Sequence, residues 1–157
     1  MNNIKPQSNF TKCDIELHKC GLCNEFDSKE NVIKEFKHCF VMFNKYPYLP
    51  GHVMIVSKRP IVSLADCTKE ERIEIIDVLS CSQQLVMNSL DIKSSNIGIN
   101  TGTDSGGSIL DHLHIHIVPR TARDMNFMYT TANTINKYPK YVIDAKQKIR
   151  DIFKKYP

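Results

Sequence analysis

The residues best suited to chemistry lie in one short run, His112-Leu113-His114-Ile115-His116-Ile117-Val118-Pro119-Arg120. Three of the chain's six histidines sit there at alternate positions. Strand side chains alternate between faces, so this spacing lines the imidazoles along one side and Leu113, Ile115 and Ile117 along the other. On a helix the same spacing would scatter the rings. As mere core they would be costly, because each buried imidazole needs its nitrogens satisfied and adjacent charged rings repel. Two functional readings fit. Either the histidines ligate a metal such as zinc, copper, iron or nickel, or one imidazole is a nucleophile whose neighbours set its tautomer and protonation.

The segment that feeds this run favours the second. In Asn100-Thr101-Gly102-Thr103-Asp104-Ser105-Gly106-Gly107-Ser108 the glycines let backbone N–H groups approach an anion, and Asn and Ser add side-chain donors. Such an oxyanion cradle is not needed by a pure metal site. It is neither a Walker A loop nor a dinucleotide fingerprint. Beside three aligned histidines it points to phosphoryl chemistry. A second constellation, Cys20-Gly21-Leu22-Cys23, is half of a tetrahedral zinc site. A redox role lacks the βαβ context of a thioredoxin motif.

These groups need a sheet to hold them. Cys39 to Phe43 reads as a strand, Tyr46-Pro47-Tyr48-Leu49-Pro50-Gly51 as a turn and His52 to Ser57 as a second strand, together an antiparallel hairpin. Thr68-Lys69-Glu70-Glu71 is a capping box that opens a long helix to about Asp91, with Ile73, Ile76, Leu79, Leu85, Val86 and Leu90 near helical spacing. Asn96 to Asn100 predicts a short strand, and Leu113 to Val118 another that ends at Pro119. Val142, Ala145, Ile149, Ile152 and Phe153 predict a closing helix whose basic outer face (Lys146, Lys148, Arg150, Lys154, Lys155) is solvated. The order of elements indicates α+β with a mainly antiparallel sheet. Phe43, Tyr46 and Tyr48, at a strand end, read as core packing, and His52 as structural.

The 157 residues are 41% hydrophobic and carry a net charge of +4, which suits one domain, 1–157, and disfavours disorder. The charges are interspersed, unlike the basic patch of a duplex-DNA binder, so nucleic acid is not the expected partner. No stretch approaches the ~20 apolar residues of a membrane span. Residues 1–19 read as a polar arm without a secretory core. The six cysteines are therefore expected as thiols or metal ligands in the cytoplasm.

From Cys20 to Phe127, through Phe43-Asn44-Lys45-Tyr46-Pro47-Tyr48, Pro50-Gly51-His52-Val53 and the triad itself, the sequence resembles the histidine-triad (HIT) family of nucleotide hydrolases and transferases. Asp124-Met125-Asn126-Phe127 looks like the branch that contains diadenosine tetraphosphate phosphorylases, and Lys58-Arg59-Pro60 like the fragile-histidine-triad hydrolases. The resemblance implies a HIT-like fold, a five-stranded antiparallel sheet with flanking helices, and a homodimer. It implies cleavage of dinucleoside polyphosphates through a nucleotidyl-histidine on His114. His116 would contact phosphate and His112 would hold the strand. Asn100, Gly107 and Ser108 match phosphate donors, and Asn44 a residue at the ribose. Arg120 or Arg123 would help to hold the polyphosphate.

A nucleophilic imidazole needs its second nitrogen protonated on a fixed acceptor. Positioning and directed donors then suffice, so no metal is required for the chemistry. Ile109 stands where related branches carry Ser or Thr, which shifts the leaving-group role towards Ser108. Family members often complete the Cys20/Cys23 pair into a structural zinc site with two histidines. One would match His112, while the other falls at Pro60, which leaves a three-ligand remnant or a replacement by His18, Cys39 or Cys67. The alternatives are a nucleoside phosphoramidase, an aprataxin-like deadenylase, or a non-catalytic nucleotide- or metal-binding protein.

Overall fold

Period-two alternation in the central strands decides which residues meet which layer. A computed structural model describes residues 20–105, 109–121 and 139–155. Strands β2 (Cys39–Phe43), β3 (Val53–Ser57) and β5 (His114–Arg120) are buried along their whole length. One face of them, including Val41, Phe43, Ile55, Ile115 and Ile117, packs on α2 (Lys69–Leu90) and α3 (Pro139–Lys154) through Ile75, Val78, Val86, Ile149 and Phe153. On the opposite face Phe40, Met42, Met54 and Val56 form a smaller cluster with Leu22 of α1 (Gly21–Ser28). The histidines share that second face.

The sheet is five-stranded, with β1 (Val32–Glu35) and β4 (Ser94–Gly98) at its edges and the order β1-β2-β3-β5-β4. Every neighbouring pair is antiparallel. This is the α+β architecture expected from the sequence, and the β2–β3 hairpin and the Thr68 capping box are present as predicted. The hairpin loop turns on Gly51, whose φ of 84° suits glycine and where a Cβ would lie 2.5 Å from Leu90 Cδ1. No described helix is long and apolar enough to cross a membrane.

Several expectations are corrected. Ile73 and Ile76 are 53% and 48% exposed rather than core. The buried stripe of α2 is instead Glu71, Ile75, Val78, Ser82 and Val86. Its phase is set at the N-terminus, where Glu71 turns inward to close the capping box with Thr68 and take both Nε and Nη2 of Arg59 at 2.8 Å. Those bonds, the Arg59 pair foremost, hold the Glu71 carboxyl down at about 2. Strand β5 continues through Pro119, because the β3 ladder already stops at Ile117 and a proline there breaks no second ladder. Strand β4 starts two residues before the predicted Asn96. Both α1 and β1 went unpredicted, being short and polar.

Candidate active site

Antiparallel pairing brings the chemistry together. His114 lies opposite Val56 and His116 opposite Met54, so both imidazoles rise from the face of the smaller cluster. They line a cleft of about 360 Å³ whose apolar wall is Leu22, Met42, Met54 and Ile109 and whose polar rim includes Asn44 and Asn100. His112 precedes β5 and sits under α1, outside that lining. The expected residues His114, His116, Asn44 and Asn100 are therefore assembled. Gly107, Ser108, Arg123 and 124–127 lie outside the described residues, as does the arm 1–19 with His18. Arg120 is buried at the end of β5, away from the cleft lining.

Backbone groups fix the tautomers. His112 Nδ1 is 2.9 Å from Ser57 O and His114 Nδ1 is 2.8 Å from His112 O. A carbonyl only accepts, so both Nδ1 atoms carry protons and, in the neutral rings, both Nε2 atoms keep the lone pair. His116 reverses this. The Tyr48 amide donates to His52 Nδ1 at 3.1 Å, which puts the His52 proton on Nε2. That proton is given to His116 Nδ1, 2.9 Å away. The neutral His116 ring must then carry its hydrogen on Nε2, a buried atom with no hydrogen-bond partner among the described residues. Burial, reinforced by neighbouring imidazoles, pushes His116 down to about 4 and His52 well below the usual range, so both are neutral near pH 7. The cleft thus contains one imidazole lone pair, on His114, and one imidazole N–H without a partner, on His116.

His52, which sequence reasoning assigned to structure, joins this hydrogen-bond chain through Tyr48 and His116. The usable signal was its place at the head of the strand that pairs with the histidine run. The aromatic residues divide. Phe43 is buried as expected and Tyr48 stacks on His52 with centroids 4.8 Å apart, but Tyr46 is 69% exposed at the cleft.

At the other end of the row, His112 Nε2 meets Cys23 Sγ at 3.2 Å, and Cys23 Sγ meets Cys20 Sγ at 3.4 Å. Cys20 is the N-cap of α1, so the thiol pair ties that helix to the start of β5. Burial opposes ionisation of Cys20, but the hydrogen bond with His112 and those with Cys23 bring it down to about 7. Against burial, the same thiol and the Ser57 carbonyl raise His112. The three ligand atoms lie within 4.8 Å of one another, the donor set of a zinc-type site. Cys39 and Cys67 are buried elsewhere in the core and are not part of this group.

The chain is 36% identical over 102 residues, 65% of its length and 52% of the relative's, to an AP-4-A phosphorylase of Mycobacterium tuberculosis. It is 31% identical over 103 residues, 66% of its length and 56% of the relative's, to an asymmetrical bis(5'-nucleosyl)-tetraphosphatase of Schizosaccharomyces pombe. It thus spans about half the length of these curated relatives. A hypothetical histidine triad nucleotide-binding protein from Sulfolobus tokodaii shares the fold, with a TM-score of 0.70 at 18% identity, covering 87% of this chain and 93% of that one. The HIT domain profile matches residues 25–123, well over half of the chain and inclusive of Asn44, His52 and the whole histidine run, so the chain belongs to the HIT family.

Proposed function

We propose that this protein cleaves dinucleoside polyphosphates by transferring a nucleotide to His114 Nε2. One observation carries the proposal: His114 and His116 line one cleft with opposite, backbone-fixed tautomers, a lone pair on Nε2 of the first and an N–H on Nε2 of the second. The names of the phosphorylase and tetraphosphatase relatives support the substrate class. In the first step the His114 Nε2–phosphorus bond forms as the bond to the bridging oxygen breaks. His116 Nε2–H donates to that oxygen or to its neighbour as charge develops. Water or inorganic phosphate then displaces the nucleotide from His114. Asn44 would hold ribose. Asn100 and the backbone around Gly107 and Ser108 would hold the phosphate.

Incubation with diadenosine tetraphosphate, with and without inorganic phosphate, tests this. AMP plus ATP marks hydrolysis at the α-phosphorus, and ADP plus ATP formed only with phosphate marks phosphorolysis. Labelled nucleotide should be trapped on His114 after acid-free quenching. Intact substrate, or cleavage with no trapped adduct, rejects the mechanism.

Two thiols and an imidazole suit structural zinc, held by Cys20, Cys23 and His112. When bound, zinc would supply a rigid clasp between α1 and β5 and no chemistry in the cleft. A homodimer paired along β4, an edge strand bearing a 40% exposed Ile97, is also proposed. The described cysteines form no disulfide, which suits a reducing cytoplasm.

A further inference from the structure

We propose that Lys45 and Tyr46 form a subsite for the departing half of the substrate, with Lys45 on its phosphates and Tyr46 stacked against its nucleobase. This rests on the dinucleoside polyphosphate reading above. The cleft's 360 Å³ is near the lower end for ligand cavities, roughly 300–1,000 Å³, and has room for one nucleotide rather than two. In-line attack by His114 requires the leaving group on the far side of the phosphorus, so the second nucleotide must pass out over the cleft mouth.

Lys45 and Tyr46 stand at that mouth, directly after Asn44 and the end of β2. Among the described cleft-lining residues, Lys45 is the only cation. Its ammonium rests 3.1 Å from Glu25 Oε1, with the lysine side chain 58% exposed. The Glu25 carboxylate is only 12% exposed but also accepts from Asn31 Nδ2 at 2.7 Å, so it keeps a partner when the lysine, on the solvent side of the pair, turns to a polyphosphate. Tyr46 has the largest exposed fraction among the described bulky apolar side chains. Its exposure does not come from a loose loop. The Tyr46 amide donates to Asn44 Oδ1 at 2.9 Å, Pro47 follows and is buried, and the Tyr48 amide is held by His52. A rigid aromatic face held beside a cation is what a stacked base with a trailing phosphate chain requires.

The test compares two substrates that share the transferred nucleotide. Diadenosine tetraphosphate carries the second nucleoside, whereas adenosine 5′-phosphorofluoridate has only fluoride to expel. Tyr46→Ala should raise KM for diadenosine tetraphosphate about tenfold, the order of losing one base–aromatic stack, and lower the ratio of its kcat/KM to that of the fluoridate by the same factor. Tyr46→Phe should restore the ratio. Lys45→Gln should lower it about threefold or more and flatten its salt dependence. Ratios within twofold of wild type in both Tyr46→Ala and Lys45→Gln, or equal losses on the two substrates, overturn the subsite while leaving the cleavage reaction intact. A wild-type protein that turns over the fluoridate and not diadenosine tetraphosphate overturns the functional reading itself.

Discussion

The two ends of the histidine row use the same side chain and reach opposite protonation patterns. At the His112 end, the Ser57 carbonyl holds Nδ1, and Nε2 faces two thiols under a helix N-terminus. At the His116 end, a backbone amide acts through His52, and Nε2 is left as a buried donor facing the cleft. His114 lies between, set like His112 but opening on the cleft. What a histidine does here follows from whether the main chain offers it a carbonyl or an amide. Under the proposed function the thiol end is a clasp, and the His52 end tunes the leaving-group side.

The largest effect separates His114 from both ends. His114→Ala removes the only imidazole lone pair among the described cleft residues, and turnover of diadenosine tetraphosphate should fall about a thousandfold or more. The folded state, read by circular dichroism, should persist. Turnover within tenfold of wild type would break the assignment of the lone pair.

Next in size is acid sensitivity at the amide-set end. His116 falls to about 4 in the folded chain against an ordinary 6.5. The unfolded chain therefore takes up the proton first. Stability from keeping His116 neutral is complete above about pH 6.5 and is lost as pH falls towards 4, by roughly 3 kcal/mol. His52, shifted the same way, adds to the loss. Urea midpoints measured from pH 7 to 4 should drop, and His116→Asn should flatten the slope. An unchanged slope in that variant breaks the claim of a buried neutral pair. Glu71 titrates lower, its stabilisation being lost only from about 4.5 down to 2, so the two windows meet only near pH 4.

His52→Ala should cost about thirtyfold in kcat on diadenosine tetraphosphate, the scale of a misdirected donor, because His116 then takes either tautomer. The loss should shrink with adenosine 5′-phosphorofluoridate, whose leaving group needs no proton, and His52→Gln should recover part of it through an amide donor to His116 Nδ1. A purely structural His52 would slow both substrates alike.

Much of this was legible in the sequence, for identifiable reasons. Alternation put His114 and His116 on one face and Ile115 and Ile117 on the other, because a strand's two-residue period is local. Thr68 and Glu71 announced the start of α2 for the same reason. Ile73, Ile76 and Tyr46 misled, since an apolar side chain does not reveal the phase of its helix or the direction of its loop. His52 was hidden more deeply. Its role comes from a bond spanning 64 residues of sequence, visible only once β3 and β5 are paired in register. The clasp likewise joins Cys23 to His112 across 89 residues.

The smallest effect tests the clasp. If the thiol end only anchors α1, then Cys23→Ser should leave the reacting groups in place while loosening the helix that carries Leu22 into the apolar wall. The substitution keeps a hydrogen-bonding group near His112 Nε2 but removes the softer ligand. Zinc, measured by elemental analysis, should be lost from the purified variant, and the thermal midpoint should fall by a few degrees, the equivalent of about 1 kcal/mol. KM should rise through the disturbed wall, with kcat changed less than threefold. Chelation of the wild-type protein should reproduce that pattern. A kcat loss as deep as that of His52→Ala would erase the distinction between the two ends, because it would mean that the state of His112 reaches His114 through the carbonyl they share.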